Sequence, residues 1–280
     1  MSSIKVRGEL LELSVPKVMG ILNVTPDSFY RGSRSGTAGE IKDLLKQMVG
    51  QGVDIVDIGG YSSRPGAGEV PEKEEIARVS MAFEITRSLF PELLTSVDTF
   101  RASVARVAIE DFGVDMINDI TGGTGDPGMI GLVAGSDLPY IMMHMQGRPS
   151  DMQSDPHYEN VVNDLLQWFA GRIVVARNAG IKDIVVDPGF GFGKTIAHNY
   201  EIINSLKRFG ELDCPVMVGL SRKSMIWKVL GSDPDNVTSL NGTIALNTIA
   251  LLNGASLIRV HDVAEAVMVV NLVQRVRGIG

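Results

Sequence analysis

Short apolar segments alternate with longer amphipathic segments along the chain, which is the pattern of repeated βα units. Eight of the apolar segments have the length and composition of buried parallel strands. Eight such units close into the (β/α)8 or TIM barrel, so the pattern predicts an α/β protein of that fold. The bodies of the predicted strands are Val18–Val24, Val53–Ile58, Leu94–Val97, Asp115–Ile117, Tyr140–Met143, Ile184–Val186, Val216–Leu220 and Ser256–Val260.

The segments between these strands have helical spacing. Apolar residues recur at i, i+3, i+4 and i+7, for example from Ile41 to Met48 and from Val263 to Val270. The first residues, Ile4–Ser14, alternate weakly and predict a short hairpin beneath the barrel. Because 280 residues is the usual size of one such barrel, we expect a single domain over residues 1–280. Four glycines are predicted to end helices just before a strand: Gly52, Gly113, Gly180 and Gly254.

Polar side chains gather where the predicted strands end, which is the face where barrels of this class carry their active sites. Capping of the following helices is a competing explanation for Asp57, Asp98 and Asn118 taken one at a time. It is weaker for the set as a whole, because all the strand ends lie on one face. In order, these ends carry Asn23, Asp57, Asp98, Asn118, His144, Asp187, then Ser221, Arg222 and Lys223, then Arg259 and His261.

Two of the loops after the strands are too long to be simple connections. Asn23–Ala38 and Gly59–Glu69 are rich in glycine and also contain aromatic residues, Arg and Pro. We interpret both as mobile loops that cover a substrate; surface decoration is the alternative, but it does not require the exposed rings of Phe29 and Tyr30.

The run from Asp187 to Lys194 places a carboxylate before a glycine-rich turn. It is not a Walker phosphate loop, because only three residues separate Gly189 from the Gly-Lys pair where that pattern needs four. We therefore favour a tight turn that presents a functional Asp over nucleotide binding.

Composition narrows the classes of function. A net charge of −7 argues against a nucleic-acid partner. No apolar stretch approaches the ~20 residues of a membrane span and the first residues lack a secretory core, so a cytoplasmic protein is expected. Cys214, the only cysteine, is expected to be buried, and no Cys/His cluster predicts zinc. His157 and His198 are interpreted as surface residues.

At its strand ends the sequence resembles the dihydropteroate synthases of folate biosynthesis. The shared segments cover nearly the whole chain, and the most specific are NVTPDSF and the SRPG loop. Where the common second loop reads E-S-T-R-P-G, Tyr61 here replaces the Glu, so no role is carried over to Tyr61. The segments in order are GILNVTPDSF, DIGGYSSRPGA, SVDTFRA, INDITGG, MMHMQGRP, VVDPGFGFGKT, GLSRKS and RVHDV.

This resemblance implies a transferase that joins 4-aminobenzoate to 6-hydroxymethyl-7,8-dihydropterin diphosphate and releases diphosphate, with Mg²⁺ on the leaving group. It implies homodimers, formed through late helices such as Thr238–Asn253 and Val263–Val276, and a sulfonamide target. It also assigns pterin binding to a set of inward-facing side chains, with a carboxylate matching the donor edge of the ring and a guanidinium on its face. That set is Asp98, Asn118, Met143, Asp187, Lys223 and Arg259.

The other assignments concern the leaving group and the second substrate. Asp27, Arg64 and Lys223 correspond to the catalytic positions, with Asp27 facing the cation that forms when diphosphate leaves. Asn23 corresponds to the Mg²⁺ contact. The diphosphate positions are Asn23, Ser63, Arg64, Arg259 and His261. The 4-aminobenzoate positions are Phe29, Pro65, Phe192, Arg222 and Ser224.

Two other functions remain to be weighed. A corrinoid-linked pterin methyltransferase would share Asp98, Asn118 and Asp187 but does not need the NVTPDSF and SRPG loops. A non-catalytic pterin-binding protein would be expected to lack Asp27, Phe29 and Arg64, which are all present.

Overall fold

A computed structural model of the chain describes residues 3–24, 37–61, 69–147, 152 and 155–278. Most of the two predicted substrate-covering loops lies outside these residues. The elements in chain order are β1 (Ser3–Val6), β2 (Glu9–Glu12), β3 (Lys17–Asn23), α1 (Ala38–Gly50), β4 (Ile55–Gly59), α2 (Glu72–Leu89), β5 (Leu94–Asp98), α3 (Ala102–Glu110), β6 (Met116–Asp119), α4 (Met129–Ser136), β7 (Tyr140–Met143), α5 (Val161–Ala179), β8 (Ile184–Asp187), α6 (Ile196–Asn204), a 3₁₀ helix (Leu206–Leu212), β9 (Met217–Val218), α7 (Ser224–Trp227), α8 (Val237–Leu252), β10 (Leu257–Val260) and α9 (Val263–Arg277).

Eight parallel strands form the predicted barrel, in the order β8-β7-β6-β5-β4-β3-β10-β9. A single parallel bridge between Val186 and Val216 brings the two ends of the sheet together. The predicted seventh strand, Val216–Leu220, is too long, since the observed strand β9 covers only Met217–Val218. The chain leaves the strand for a turn in which the Leu220 carbonyl accepts from the Lys223 amide. The helices predicted between the strands are present, and none in the described part of the chain is long and apolar enough to cross a membrane.

Alternation along the strands separates two cores. Side chains such as Val56 and Ile58 pack outward against the helices, whereas Ile55 and its counterparts on the other strands point into the barrel. All four glycines predicted to end helices have positive φ. Gly180 is the clearest case, since its φ of 113° lets its amide reach back to two carbonyls of α5.

The hairpin β1–β2 closes the amino-terminal end of the barrel, as predicted. Ile4, Val6 and Leu13 are buried against the lowest inward-facing residues, including Met19 and Leu257. The turn of the hairpin carries Arg7, whose Nε lies 2.7 Å from Oδ1 of the buried Asp115. Asp115 Oδ2 also accepts from the Thr95 amide at 2.8 Å. One carboxylate thus joins the hairpin to β5 and β6.

We expect Asp115→Ala to lower the free energy of unfolding by about 3 kcal/mol, because it leaves a buried amide and part of a buried ion pair without partners. The comparison is Lys182→Ala, which removes a partner of Asp137 in an exposed ion pair and is expected to leave the free energy of unfolding nearly unchanged. Urea denaturation measures both. Equal effects would show that the Asp115 contacts do not hold the hairpin in place.

Candidate active site

The side chains that point into the barrel change from apolar to polar within two residues along a strand. On four strands an apolar side chain near the amino-terminal end is followed two residues later by a polar one, which must face the same way. The second set is therefore stacked on an apolar floor, at the end where barrels bind substrates. The four pairs are Ile55 and Asp57, Met116 and Asn118, Val185 and Asp187, and Leu257 and Arg259.

Arg259 is the centre of this polar layer. Its Nε lies 2.6 Å from Asp57 Oδ2, and Nη2 lies 2.6 Å from Asp98 Oδ2. Asn118 donates from Nδ2 to the same Asp57 oxygen at 2.9 Å. The helix-capping explanation for Asp57, Asp98 and Asn118 is wrong, because these side chains bond across the barrel and the helices after their strands begin at the N-cap residues Pro71, Arg101 and Gly128 instead.

Burial sets the protonation of this cluster. It works against the charged form of Arg259, but the carboxylates of Asp57 and Asp98 outweigh it and raise the pKa of the guanidinium above its ordinary value. Burial raises the pKa of Asp98 to about 7; Arg259 opposes the shift and the charge of Asp57 adds to it. Burial thus works against the charge of Asp98, and the ion pair with Arg259 favours it.

Asp187 lies at the end of β8, opposite Met143 in the register of β7. Burial raises the pKa of Asp187, although Lys223 and a hydrogen bond from the Gly189 amide, 2.8 Å from Oδ1, hold it down. Gly189 is required here: its φ is +69°, and a Cβ would lie 2.0 Å from the His144 carbonyl oxygen. The tight turn that the sequence predicted after Asp187 is present at the end of β8.

Lys194 holds that turn from below, a role that the sequence did not reveal. Its buried Nζ lies 3.0 Å from His144 Nδ1 and donates at 3.0 Å to the carbonyls of Gly189 and Phe192. Burial lowers the pKa of Lys194 to about 7, and it lowers the pKa of His144 far below its ordinary value. The pair joins the loops after β7 and β8.

Lys223 and Phe192 lie together beside Asp187. The Lys223 ammonium donates to the Phe190 carbonyl and lies 4.7 Å from the centroid of the Phe192 ring. Burial lowers the pKa of Lys223 to about 8, against the attraction of Asp187. Ser224, the next residue, is exposed at the start of α7. These residues form one wall of the opening.

His261 and Arg222 lie next to each other in the loops after β9 and β10. His261 Nδ1 is 3.1 Å from the Ser221 hydroxyl. Burial and the neighbouring cations Arg259, Arg222 and Lys223 lower the pKa of His261 to about 3, so the imidazole is neutral at pH 7. Arg222 has φ +52° and forms a two-point ion pair with Asp262, at 2.8 and 3.0 Å. Its predicted contact with 4-aminobenzoate stays a prediction.

Asn23 ends β3 close to this layer, since Asn23 Oδ1 and Asp98 Cβ both lie 3.4 Å from the position of a Cβ on Gly59. Tyr61 packs edge-on against Phe100, with the Arg101 guanidinium 5.3 Å from its ring centroid. An aromatic face thus contacts Arg101 where the common form of the loop carries Glu. Five predicted site residues lie outside the described residues: Asp27, Phe29, Ser63, Arg64 and Pro65.

Comparison with known proteins places this geometry in a family. Residues 19–261 match the family described as pterin binding enzyme. The dihydropteroate synthase of Escherichia coli (strain K12) is 42% identical over 273 residues, covering 96% of this chain and 94% of that protein. A Yersinia pestis dihydropteroate synthase in complex with a sulfonamide drug superposes with a TM-score of 0.93 at 40% identity, covering 99% of each chain.

A Xanthomonas albilineans dihydropteroate synthase with 4-aminobenzoic acid has a TM-score of 0.89 at 39% identity, covering 100% of this chain and 99% of the other. The shared fold, the near-complete coverage and the identity lead to one conclusion. The chain belongs to the dihydropteroate synthases, within the pterin-binding enzymes.

Proposed function

We propose that the mouth of the barrel binds 6-hydroxymethyl-7,8-dihydropterin diphosphate and 4-aminobenzoate and joins them. The observation that carries this proposal is the set formed by the half-buried Asp98 and the buried Asn118 and Asp187, gathered with Arg259 and Lys223 over an apolar floor. A pterin presents ring N–H and amino donors along one edge and a flat face. Carboxylate and amide oxygens suit the edge, and a guanidinium suits the face.

The pterin site that we propose consists of Asp98, Asn118, Met143, Asp187, Lys223 and Arg259. Met143 and Asp187 are neighbours in the barrel register, which supports an apolar side chain beside the carboxylate that binds the donors. Among the carboxylates, Asp187 attracts the Lys223 charge most strongly, and the Lys223 ammonium can donate to the pterin carbonyl. Each ionic group in this set already has a counter-charge, so binding exchanges partners rather than exposing charges.

The diphosphate binds, in our proposal, to Asn23, Ser63, Arg64, Arg259 and His261. The neutral state of His261 suits it to donate a hydrogen bond to a phosphate oxygen. No cluster of three His, Cys, Asp or Glu side chains among the described residues could hold a metal ion. The Asn23 amide oxygen fits an Mg²⁺ ion that arrives on the diphosphate, because Mg²⁺ usually takes few protein ligands and several oxygens from phosphate and water.

The reaction proposed is a dissociative substitution. The bond between the pterin methylene and diphosphate breaks, the dihydropterin ring stabilises the resulting cation, and the amine of 4-aminobenzoate attacks and loses a proton. Asp27 faces the cation, while Arg64 and Lys223 bind the departing and attacking groups. Positioning and electrostatic stabilisation supply the rate enhancement, because diphosphate is already a good leaving group.

The second substrate is proposed to bind between Phe192, Arg222 and Ser224 and the loop residues Phe29 and Pro65. The exposed Ser224 and the ring of Phe192 lie at the opening, which supports this placement. Since a relative is known in a sulfonamide complex, we propose that sulfonamides compete at this pocket. The single domain over residues 1–280 and the cytoplasmic location stay predictions.

Release of diphosphate in the presence of both substrates tests the function directly. Turnover that requires 4-aminobenzoate and yields dihydropteroate supports the proposal. Methyl transfer to a corrinoid acceptor would favour the methyltransferase, and pterin binding without turnover would favour the binding protein.

Asp187→Asn is expected to weaken binding of the pterin substrate by about tenfold to a hundredfold while leaving the thermal unfolding midpoint nearly unchanged. The amide places a donor against a pterin donor, and a buried unsatisfied group costs about 1–3 kcal/mol. Calorimetry with 6-hydroxymethyl-7,8-dihydropterin measures the affinity. An unchanged affinity would remove Asp187 from the site.

Inorganic diphosphate with Mg²⁺ is expected to raise the melting temperature of the free protein. At a ligand concentration of ~100 times the dissociation constant, linkage gives roughly 2.7 kcal/mol of stabilisation. Asn23→Ala should keep most of the response to diphosphate alone, because Arg64, Arg259 and His261 remain, and should lose the further increase given by Mg²⁺. Absence of any shift in the wild type, with or without Mg²⁺, contradicts the anion site.

We also propose that the protein is a homodimer formed through α8 and α9. Met268, Leu272 and Val276 form one exposed stripe along α9, and Ile249 and Leu252 on α8 are also exposed. Helices α8 and α9 pack against each other, so these side chains belong to one face of the molecule. A contiguous apolar face of this kind is typical of a protein interface.

Light scattering is expected to give a mass of about twice 30.2 kDa, and Leu272→Lys is expected to shift the protein towards monomer because it places a charge in the apolar face. Val174→Lys, at an exposed apolar position on α5, is the matched control and should leave the mass unchanged. A monomeric wild type contradicts the proposal.

A further inference from the structure

Asp57 is buried beneath the proposed pterin site and has no role in it so far. It lies in the middle of β4, between Ile21 on β3 and Ser96 on β5, and its exposed fraction is 0%. We propose that Asp57 is a positioning residue: it fixes the direction in which the Asn118 amide faces and holds the Arg259 guanidinium by one nitrogen. This inference rests on the proposed pterin site and adds a residue that does not touch the ligand.

Asp57 first fixes the orientation of the Asn118 amide. Its amide has a donor end and an acceptor end, and either could face a ligand. Asp57 Oδ2 accepts from Nδ2 at 2.9 Å, and the reverse orientation would place the amide oxygen against a carboxylate oxygen. The acceptor oxygen of Asn118 must therefore point away from Asp57, where it can accept from a ring N–H. Asp57 thus makes Asn118 an acceptor, which recognises a donor group on the ligand.

Asp57 also holds the Arg259 guanidinium. Asp57 accepts from Nε, whereas Asp98 accepts from Nη2. When a pterin binds the Asp98 carboxylate, the bond from Arg259 Nη2 to Asp98 is released, but the bond from Arg259 Nε to Asp57 remains. The guanidinium can then lie against the ring face without moving out of the barrel. A single tether at Nε leaves both terminal nitrogens available to the ring and to phosphate oxygens.

The burial of Asp57 itself supports a role in the site. Both of its hydrogen bonds use Oδ2, and Oδ1 is buried without a partner among the described residues. A buried carboxylate oxygen without a donor lowers stability. An Asn at this position offers one acceptor and one donor, so it would not force the Asn118 amide into one orientation, and it would bring no negative charge to Nε of Arg259. Two acceptor oxygens and a negative charge are therefore the properties that distinguish Asp at position 57.

The test compares two ligands on one variant. Asp57→Asn keeps the shape, so we expect binding of 6-hydroxymethyl-7,8-dihydropterin to weaken about tenfold or more, as for loss of a charged hydrogen-bond partner. Binding of Mg-diphosphate should be no weaker, because Arg259 has lost a competing carboxylate. The matched control is Ser96→Ala, the register neighbour of Asp57, whose buried hydroxyl has no partner among the described residues. It should leave both affinities unchanged.

Equal weakening of both ligands by Asp57→Asn would mean a general structural defect and would overturn the inference. So would an unchanged pterin affinity, provided that Asp187→Asn weakens it. If Asp187→Asn has no effect on pterin binding, the proposed pterin site itself is wrong and the role of Asp57 falls with it.

A second measurement uses the wild type and does not depend on folding of a variant. Nuclear magnetic resonance can follow hydrogen exchange at the side-chain amide of Asn118. One of its protons should be protected in the free protein and stay protected when the pterin binds, because the bond to Asp57 persists. Loss of that protection on pterin binding would show that the amide turns towards the ligand, which contradicts the inference.

Discussion

The site depends on one electrostatic constraint, the burial of the Arg259 charge inside the barrel. An unpaired buried charge costs several kcal/mol, so carboxylates must accompany it. Asp57 and Asp98 do so on two sides, each at 2.6 Å. The orientation of the Asn118 amide follows from Asp57, and the charges of Lys223 and Asp187 attract each other beside them. Each cation of the polar layer thus has a carboxylate near it in the free protein, while the oxygens stay in place for a ligand.

This arrangement suits a reaction in which charge moves from a substrate to its leaving group. The apolar floor and the hairpin close the barrel from below, so the polar groups meet solvent and ligand only from the opposite end. Cations at the mouth can stabilise departing diphosphate, and the carboxylates can bind the ring that carries the developing cation. The groups need only be held in place, and the barrel strands hold them through the register that pairs Asp98 with Asn118 and Met143 with Asp187.

Strand periodicity predicted the barrel, the hairpin and the helix ends, because these depend on local apolar patterns. The tendency of these barrels to carry their active sites where the strands end also identified the polar face. The contacts between strands could not be predicted, since Asp57 and Arg259 are 202 residues apart and only barrel closure brings them together. The same holds for Lys194 and His144, and the short β9 reflects a turn that no apolar pattern reveals. The alternation of Ile55 and Asp57 did carry a signal that Asp57 faces inward.

In our proposal, Asp57 acts on the pterin through its neighbours Asn118 and Arg259. A double-mutant cycle with Asp57→Asn and Asn118→Ala, measured on the affinity for 6-hydroxymethyl-7,8-dihydropterin, tests it directly. If Asp57 orients the Asn118 amide, removing that amide makes the substitution at position 57 less costly, and the coupling should be about 1 kcal/mol or more. Additive effects, with a coupling below about 0.3 kcal/mol, would contradict the account.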